Sequence, residues 1–391
     1  MRLAVTGVGT VSPFGVGRET FEGAFADVEA ARASAFRGPS EVLDAEKIPD
    51  PHTAEVWGWD PKQHLGPKGH RSYDRLTKFL IAAATSALED AGLKKEREFT
   101  GILEATQIGV CSATAYGSLD AITELNRVAE LEDPRYINPT RFPNTVINAA
   151  AGYVSIWEDL QAPNTTIVDG NCGALDAVLT AATHLTHRRG DAFLVGGGEV
   201  VSEPLFLALT KLGVIARGGR GGVEMGEGAA YLVVERAEDA LARGATINAE
   251  IVGYGTAFEP PPSEALLVNA SADAVARACT GALEEAGIEP KDVDVVSCAA
   301  GGIDAIDRAE AEGLRSLFGD QVAIASLKRL HGETFGAAGA FGMVGALAWL
   351  SGAPVGPLIA GTASKDVRTV LVTTVGFYGN VSVVVLRRAA N

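Results

Sequence analysis

The side chain best suited to covalent chemistry is Cys172, in TTIVDGNCGALDAV at residues 165–178. The β-branched run ahead of it reads as a buried strand, and the Ala-rich run behind it as a helix reaching about His187. A thiol at a helix N-terminus feels the positive end of the helix dipole, which lowers its pKa and favours the nucleophilic thiolate. Backbone N–H groups of the same turn can hold a developing oxyanion. The same context fits a small buried residue filling a tight turn, and the segment alone leaves the two readings level.

Strand and helix signals alternate on both sides of that turn. Strands are predicted at residues 3–5, 108–112, 165–169, 192–196, 228–235 and 251–254, with 228–235 pairing with 251–254. A helix is predicted over 73–91, where Leu76, Phe79, Leu80, Ala83 and Leu88 repeat at helical spacing and Gly92 ends the run. A second cycle follows: helices over 271–286, 307–318 and 336–350, and strands over 293–297, 321–326, 369–374 and 382–387. Two comparable cycles imply an α/β fold of two lobes covered by helices, residues 1–250 and 251–391. Residues 38–72 are poorly periodic and read as a surface excursion.

The formal net charge of −16 disfavours a nucleic-acid partner, because binding to phosphates needs clustered Lys and Arg. An acidic protein partner would need a local basic patch; Arg188, Arg189, Lys211, Arg217 and Arg220 are candidates, as well as ordinary solvated side chains. The four cysteines, Cys111, Cys172, Cys279 and Cys298, are far apart, without metal-type spacing. They point to a reducing cytoplasm and not to a disulfide scaffold. No signal peptide is read at the N-terminus and no run is long enough to span a membrane, the longest apolar candidate being 341–350.

Taken together, the motifs resemble β-ketoacyl-acyl-carrier-protein synthases, the ketosynthase family. AVTGVGTVSPFG (residues 4–15) is similar to the family's opening strand and turn, and TTIVDGNCGALDAV to its nucleophile elbow. The stretch 226–255 is similar to its central hairpin. SLKRLHGETFGAAGAFG (326–342) is similar to its Lys-containing loop and GAAG helix. VGFYGN (375–380) is similar to the loop whose Phe gates the pocket, here Gly376 and Phe377. The resemblance implies a thiolase-like five-layered α/β/α/β/α sandwich of two duplicated halves, dimeric through a sheet edge near the nucleophile strand. It implies no cofactor, with acyl chains arriving on the phosphopantetheine of an acyl carrier protein. It also places Cys172 as the acyl-accepting nucleophile, with the N–H groups of Cys172 and Phe377 as an oxyanion hole.

Two departures bear on the chemistry. Family members decarboxylate and condense with two histidines. The place of the first falls on Ala300 in SCAAGGIDAIDRAE (297–310), and the place of the second on Glu333, with His331 two residues early. An imidazole can donate a hydrogen bond to an enolate, whereas an ionised carboxylate only accepts and repels it. Glu333 therefore opposes the family's chemistry unless protonated or paired, for instance with Lys328. Lys328 also reads as a structural partner of Glu310. His331 reads either as a displaced catalytic imidazole or as a solvent-facing or backbone-bonded residue. Thr114 and Tyr116, in SATAYGS (112–118), are candidates for pocket-length control or for interface filling.

Loss of both histidines, with AAGGIDAIDRAEAEGL (299–314) and FPNTVINAAAGYVSIW (142–157), is similar to chain-length-factor subunits of type II polyketide synthases. Those pair with an active ketosynthase and wall off its growing chain. The favoured expectation is such a subunit, in a heterodimer with a complete ketosynthase, or a homodimer. The competing expectation is an acyltransferase that loads Cys172 and uses Glu333 or His331 as base, since Cys172 is not the residue usual at that position in chain-length factors. Ordinary elongating condensation ranks below both.

Overall fold

In a computed structural model describing residues 2–216 and 221–389, each half lays five strands in the same spatial order. The first half comprises β1 (Leu3–Ser12), β2 (Ile108–Ala113), β3 (Asn164–Ile167), β4 (Ala192–Glu199) and β5 (Gly228–Arg236). The second comprises β6 (Ala249–Phe258), β7 (Val295–Ser297), β8 (Ala323–Ala325), then β9 (Leu358–Ala360) at the margin, β10 (Thr369–Val375) and β11 (Asn380–Arg387). The first half runs β3-β2-β4-β5-β1, and the second β8-β7-β10-β11-β6, with β9 added outside β8. An identical third-second-fourth-fifth-first order is the mark of duplication, in agreement with the two-lobed reading.

The expected pairing of 228–235 with 251–254 is not formed. β1 lies between β5 and β6 and is antiparallel to both, through Leu3 to Val11 on one side and Leu3, Ala4 and Val5 on the other. Both of its neighbours are thus used up, and the short second ladder joins the two sheets edge to edge.

Six helices make the remaining layers: α1 (Arg75–Asp90), α2 (Ala149–Glu158), α3 (Gly173–Thr186), α4 (Ala272–Ala286), α5 (Asp304–Phe318) and α6 (Ala338–Leu350). α1 covers the first sheet, and α4, with α5 against it, covers the second; α3 and α6 touch strands of both. That is the five-layered sandwich expected. α6, AGAFGMVGALAWL, is buried from Gly339 to Leu350 because it is apolar all round, which suits only a central layer. The outer helices approach the first strand of each half in matching fashion. A Cβ at Gly9 would sit 2.0 Å from the Ala83 carbonyl oxygen, and one at Gly255 2.0 Å from that of Ala278. Only glycine admits so close a backbone.

The 38–72 excursion is more tightly held than its sequence implies. Leu43, Ile48, Val56 and Leu65 are buried, and Thr53–Ala54 pairs with Met225–Gly226. Among the described residues, no helix is long and apolar enough to cross a membrane.

Candidate active site

β3 ends at Ile167, and the chain turns through Gly170 (φ +52°) into a 3-10 turn, Gly170–Cys172, that leads into α3. The two adjacent side chains of that turn part company. Cys172 is fully buried, its Sγ donating to the backbone carbonyls of Thr374 and Asn380 at 3.6 Å each. Asn171 faces the opposite way: its Nδ2 donates to Glu333 Oε2 at 3.4 Å, and with Lys328, Glu333 and Gly301 it lines a narrow cleft. Asn171 Oδ1 is buried without a partner. The sequence reading passed over Asn171; the only available signal was its position one residue before the thiol.

Of the two readings left level for Cys172, the activated thiol finds no support in its surroundings. Burial pushes the Cys172 pKa up to about 12, helped by Asp176 and Asp169 nearby. The dipole of α3 is outweighed, because a thiolate there would be stripped of water and faced by carboxylates. Asp176 accepts from the hydroxyls of Tyr254 at 2.8 Å and Ser382 at 2.5 Å. Its own pKa is pushed up to about 6 by burial and by a hydrogen bond with Asp169. Asn380 Nδ2 donates to Asp169 at 2.9 Å. The Cys172 N–H donates to Asp169 O at 3.0 Å, so one expected oxyanion donor is already engaged.

Lys328 and Glu333 are paired, Nζ to Oε2 at 2.6 Å, and Phe335 N–H holds the other carboxylate oxygen at 2.7 Å. Burial works against the Lys328 charge, but Glu333 outweighs it and keeps the ammonium pKa above its ordinary value. The expected Lys328–Glu310 bridge is absent among the described pairs. Glu310 Oε1 instead accepts from Ala299 N–H at 2.8 Å and from the Thr373 hydroxyl, and Oε2 has no partner. Lys328 is held instead by the carboxylate on its own loop.

His331 is neither a displaced catalytic imidazole nor solvent-facing. It is 1% exposed, packs on Phe341 (ring centroids 4.7 Å apart) and Phe21 (5.8 Å), and neither ring nitrogen has a partner. Burial pulls its pKa down to about 4. The two-residue slip from Glu333 turns the side chain into the core.

Gly301, one residue after Ala300, closes over the Lys328–Glu333 pair, where a Cβ would sit 2.8 Å from Lys328 Cδ and 3.2 Å from Glu333 Oε2, and the Gly301 and Gly302 N–H groups are held by Asp307 at 3.0 and 2.9 Å. A cavity of about 880 Å³ opens above them, lined by Ala300, Lys328, Arg329, Asp307, Glu224 and His52 among others. Cys172 is not in its lining.

Thr114 and Tyr116 are organised by Glu199, which sequence reasoning missed. Glu199 is buried and accepts from Thr114 Oγ1 (3.1 Å), Ala115 N–H (2.7 Å), Tyr116 N–H (3.4 Å) and Gly336 N–H (3.3 Å). Burial pushes its pKa up to about 7 against those donors. The Tyr116 ring stands edge-on to Phe335 at 5.3 Å, and Phe335 in turn meets Phe377 at 6.4 Å. Gly376 N–H is spent on Asn380 O at 2.8 Å, and Phe377 O accepts from Asn269 N–H. Of the basic candidates, Arg188 and Arg189 follow α3 and Lys211 ends a separate helix. Arg188 lies 3.6 Å from Glu238, and Arg217 and Arg220 lie outside the described residues.

Comparison with known proteins agrees with this geometry at the level of the fold. The family model for the N-terminal domain of beta-ketoacyl synthases matches residues 1–240, and that for the C-terminal domain matches residues 248–361. The chain is 32% identical over 364 residues to 3-oxoacyl-(acyl-carrier-protein) synthase 2 of Coxiella burnetii, covering 87% of this chain and 83% of that protein. Among solved structures, the ishigamide ketosynthase/chain length factor superposes with a TM-score of 0.86 at 24% identity, covering 100% of this chain and 99% of that one. A type II polyketide ketosynthase in complex with its acyl-carrier protein gives 0.80 at 23% identity, with coverage of 100% and 99%.

Proposed function

Since this chain belongs to the β-ketoacyl synthase family and carries both of its domains, we propose that it acts as a chain-length-factor-type subunit of a type II polyketide or fatty-acid synthase. In that role it pairs with a complete ketosynthase and shapes the channel for chains carried on an acyl carrier protein, without condensing them itself. One observation carries the reading: the narrow cleft beside the cavity is lined by the Asn171 amide and the Lys328–Glu333 ion pair, with Gly301 and Asp307. No thiol and no imidazole lines that cleft among the described residues. An amide is not a nucleophile, and a paired carboxylate donates nothing to an enolate.

Two further features support assembly with a partner. β3 is a sheet edge among the described residues; Val168, just after it, and Ile156 of α2 and Leu179 of α3, on the helices packed against it, are 51%, 72% and 43% exposed. Exposed apolar side chains beside a free edge strand suit a protein–protein contact. The similarity to the ishigamide ketosynthase/chain length factor and to a ketosynthase bound to its carrier protein points the same way. The acyltransferase reading needs Cys172 to reach a thioester carbonyl, and the thiol is sealed and turned away from the cavity.

The test is intact-mass spectrometry of this chain, with and without a complete ketosynthase from the same gene neighbourhood, after incubation with acyl-carrier-protein thioesters. Acylation is expected on the ketosynthase alone, with product length depending on this chain. A mass gain on this chain that Cys172→Ala removes would overturn the reading.

A further inference from the structure

We propose that the cleft between α5 and the β7–β8–β9 edge binds a small aliphatic amine, whose ammonium group meets Glu310. The cleft encloses about 430 Å³, within the range of small-molecule sites, and is walled by Ala300, Leu314, Val322, Ile324 and Ile359. Glu310 lines it, is 1% exposed, and has one carboxylate oxygen without any partner.

What Glu310 lacks, among the described ion pairs, is a cation. Lys328, which acts on Glu310 from a distance, gives its ion pair to Glu333. Arg315, at the mouth, is tied to Asp320 at 3.1 Å. Asp307, another carboxylate of the lining, is satisfied by the N–H groups of Gly301 and Gly302. A buried carboxylate with no countercharge is costly, and burial accordingly raises the Glu310 pKa. An ammonium supplies both the missing hydrogen bond and the missing charge. An alcohol supplies only the first, and an anion is repelled by Glu310, Asp307 and Asp320. The apolar walls take the alkyl body, and Ala311, exposed on α5, stands at the opening. The inference is independent of whether the chain serves as a partner subunit.

The experiment is calorimetric titration of the whole protein with hexylamine, hexanol and hexanoate, in wild type, Glu310→Gln and Ala311→Phe. Hexylamine is expected to bind in preference to the other two. Loss of the charge-assisted bond in Glu310→Gln weakens it by roughly tenfold or more. Ala311→Phe, a surface change that leaves the core intact, blocks the opening and abolishes the heat. The proposal is overturned if hexylamine does not bind, if hexanol binds as tightly, or if Ala311→Phe leaves hexylamine affinity unchanged.

Discussion

Lys328 Nζ lies 2.6 Å from Glu333 Oε2, with both side chains withdrawn from water. Their pairing neutralises a carboxylate that would otherwise repel any enolate in the neighbouring cavity. It also leaves Glu310 without the lysine it was expected to hold. Two features of the molecule, a cleft whose carboxylate is already paired and a second buried carboxylate without an ion-pair partner, thus go with one ion pair.

Breaking that pair from one side is predicted to be far worse than removing it. Glu333→Ala strands a buried ammonium and frees the Phe335 N–H, at an expected cost of about 3–5 kcal/mol. Lys328→Met combined with Glu333→Leu is expected to cost much less than the two single changes added together. Urea unfolding of wild type, Glu333→Ala, Lys328→Met, Glu333→Leu and the double variant at neutral pH measures both. A cost under about 1 kcal/mol for Glu333→Ala would mean that the pair behaves as a solvent-screened one.

The fold was legible because its periodicities are strong. The all-apolar 341–350 run could only be a central helix, and the strand–helix alternation repeats in two halves. The pairing of β5 with β6 was misread because sequence neighbours are the default guess, and nothing local announces that the N-terminal strand enters between them. At the site, residue types were legible and directions were not. Asn171 and Cys172 are adjacent, and after the turn at Gly170 (φ +52°) Asn171 lines the narrow cleft while Cys172 is buried away from it. The dipole argument for Cys172 failed for a related reason. Burial and the two aspartates beside it are tertiary facts that a helix N-terminus does not disclose.

Thiol reactivity follows directly. All four cysteines are buried, and the Cys172 pKa is pushed up to about 12. The native protein at neutral pH is expected to give no rapid reaction with a disulfide reagent, and four equivalents once unfolded. A fast-reacting thiol in the native protein that Cys172→Ala removes would contradict the burial described and revive the acyltransferase reading.

Asp176 gives a pH signature. Its folded pKa, about 6, lies above the ordinary aspartate value of 3.8. The folded state therefore holds the proton more tightly, and the group's contribution to stability is present below about pH 4 and lost as pH rises through 6. Asp176→Asn keeps an oxygen acceptor for Tyr254 and Ser382 but has nothing to ionise. Relative to wild type, the variant is expected to gain about 1–2 kcal/mol between pH 4 and pH 8, after allowance for partial solvent screening. Denaturant midpoints at the two pH values check this, and an unchanged difference would remove Asp176 as a buried, titrating group.

His331 behaves in the opposite sense, and its substitution separates a core residue from a catalytic one. Its folded pKa, about 4, lies below the ordinary 6.5, so the folded state resists protonation. Its contribution to stability is present above about pH 6.5 and lost as pH falls toward 4, by up to about 3 kcal/mol. Neither ring nitrogen has a partner among the packed side chains of Phe21 and Phe341, so an apolar replacement forfeits no hydrogen bond. His331→Leu is expected to match or exceed wild-type stability at pH 7 and to exceed it clearly at pH 5. Product formation with a partner ketosynthase is expected to stay unchanged. A variant that folds as stably as wild type but no longer supports product formation would return the imidazole to the chemistry.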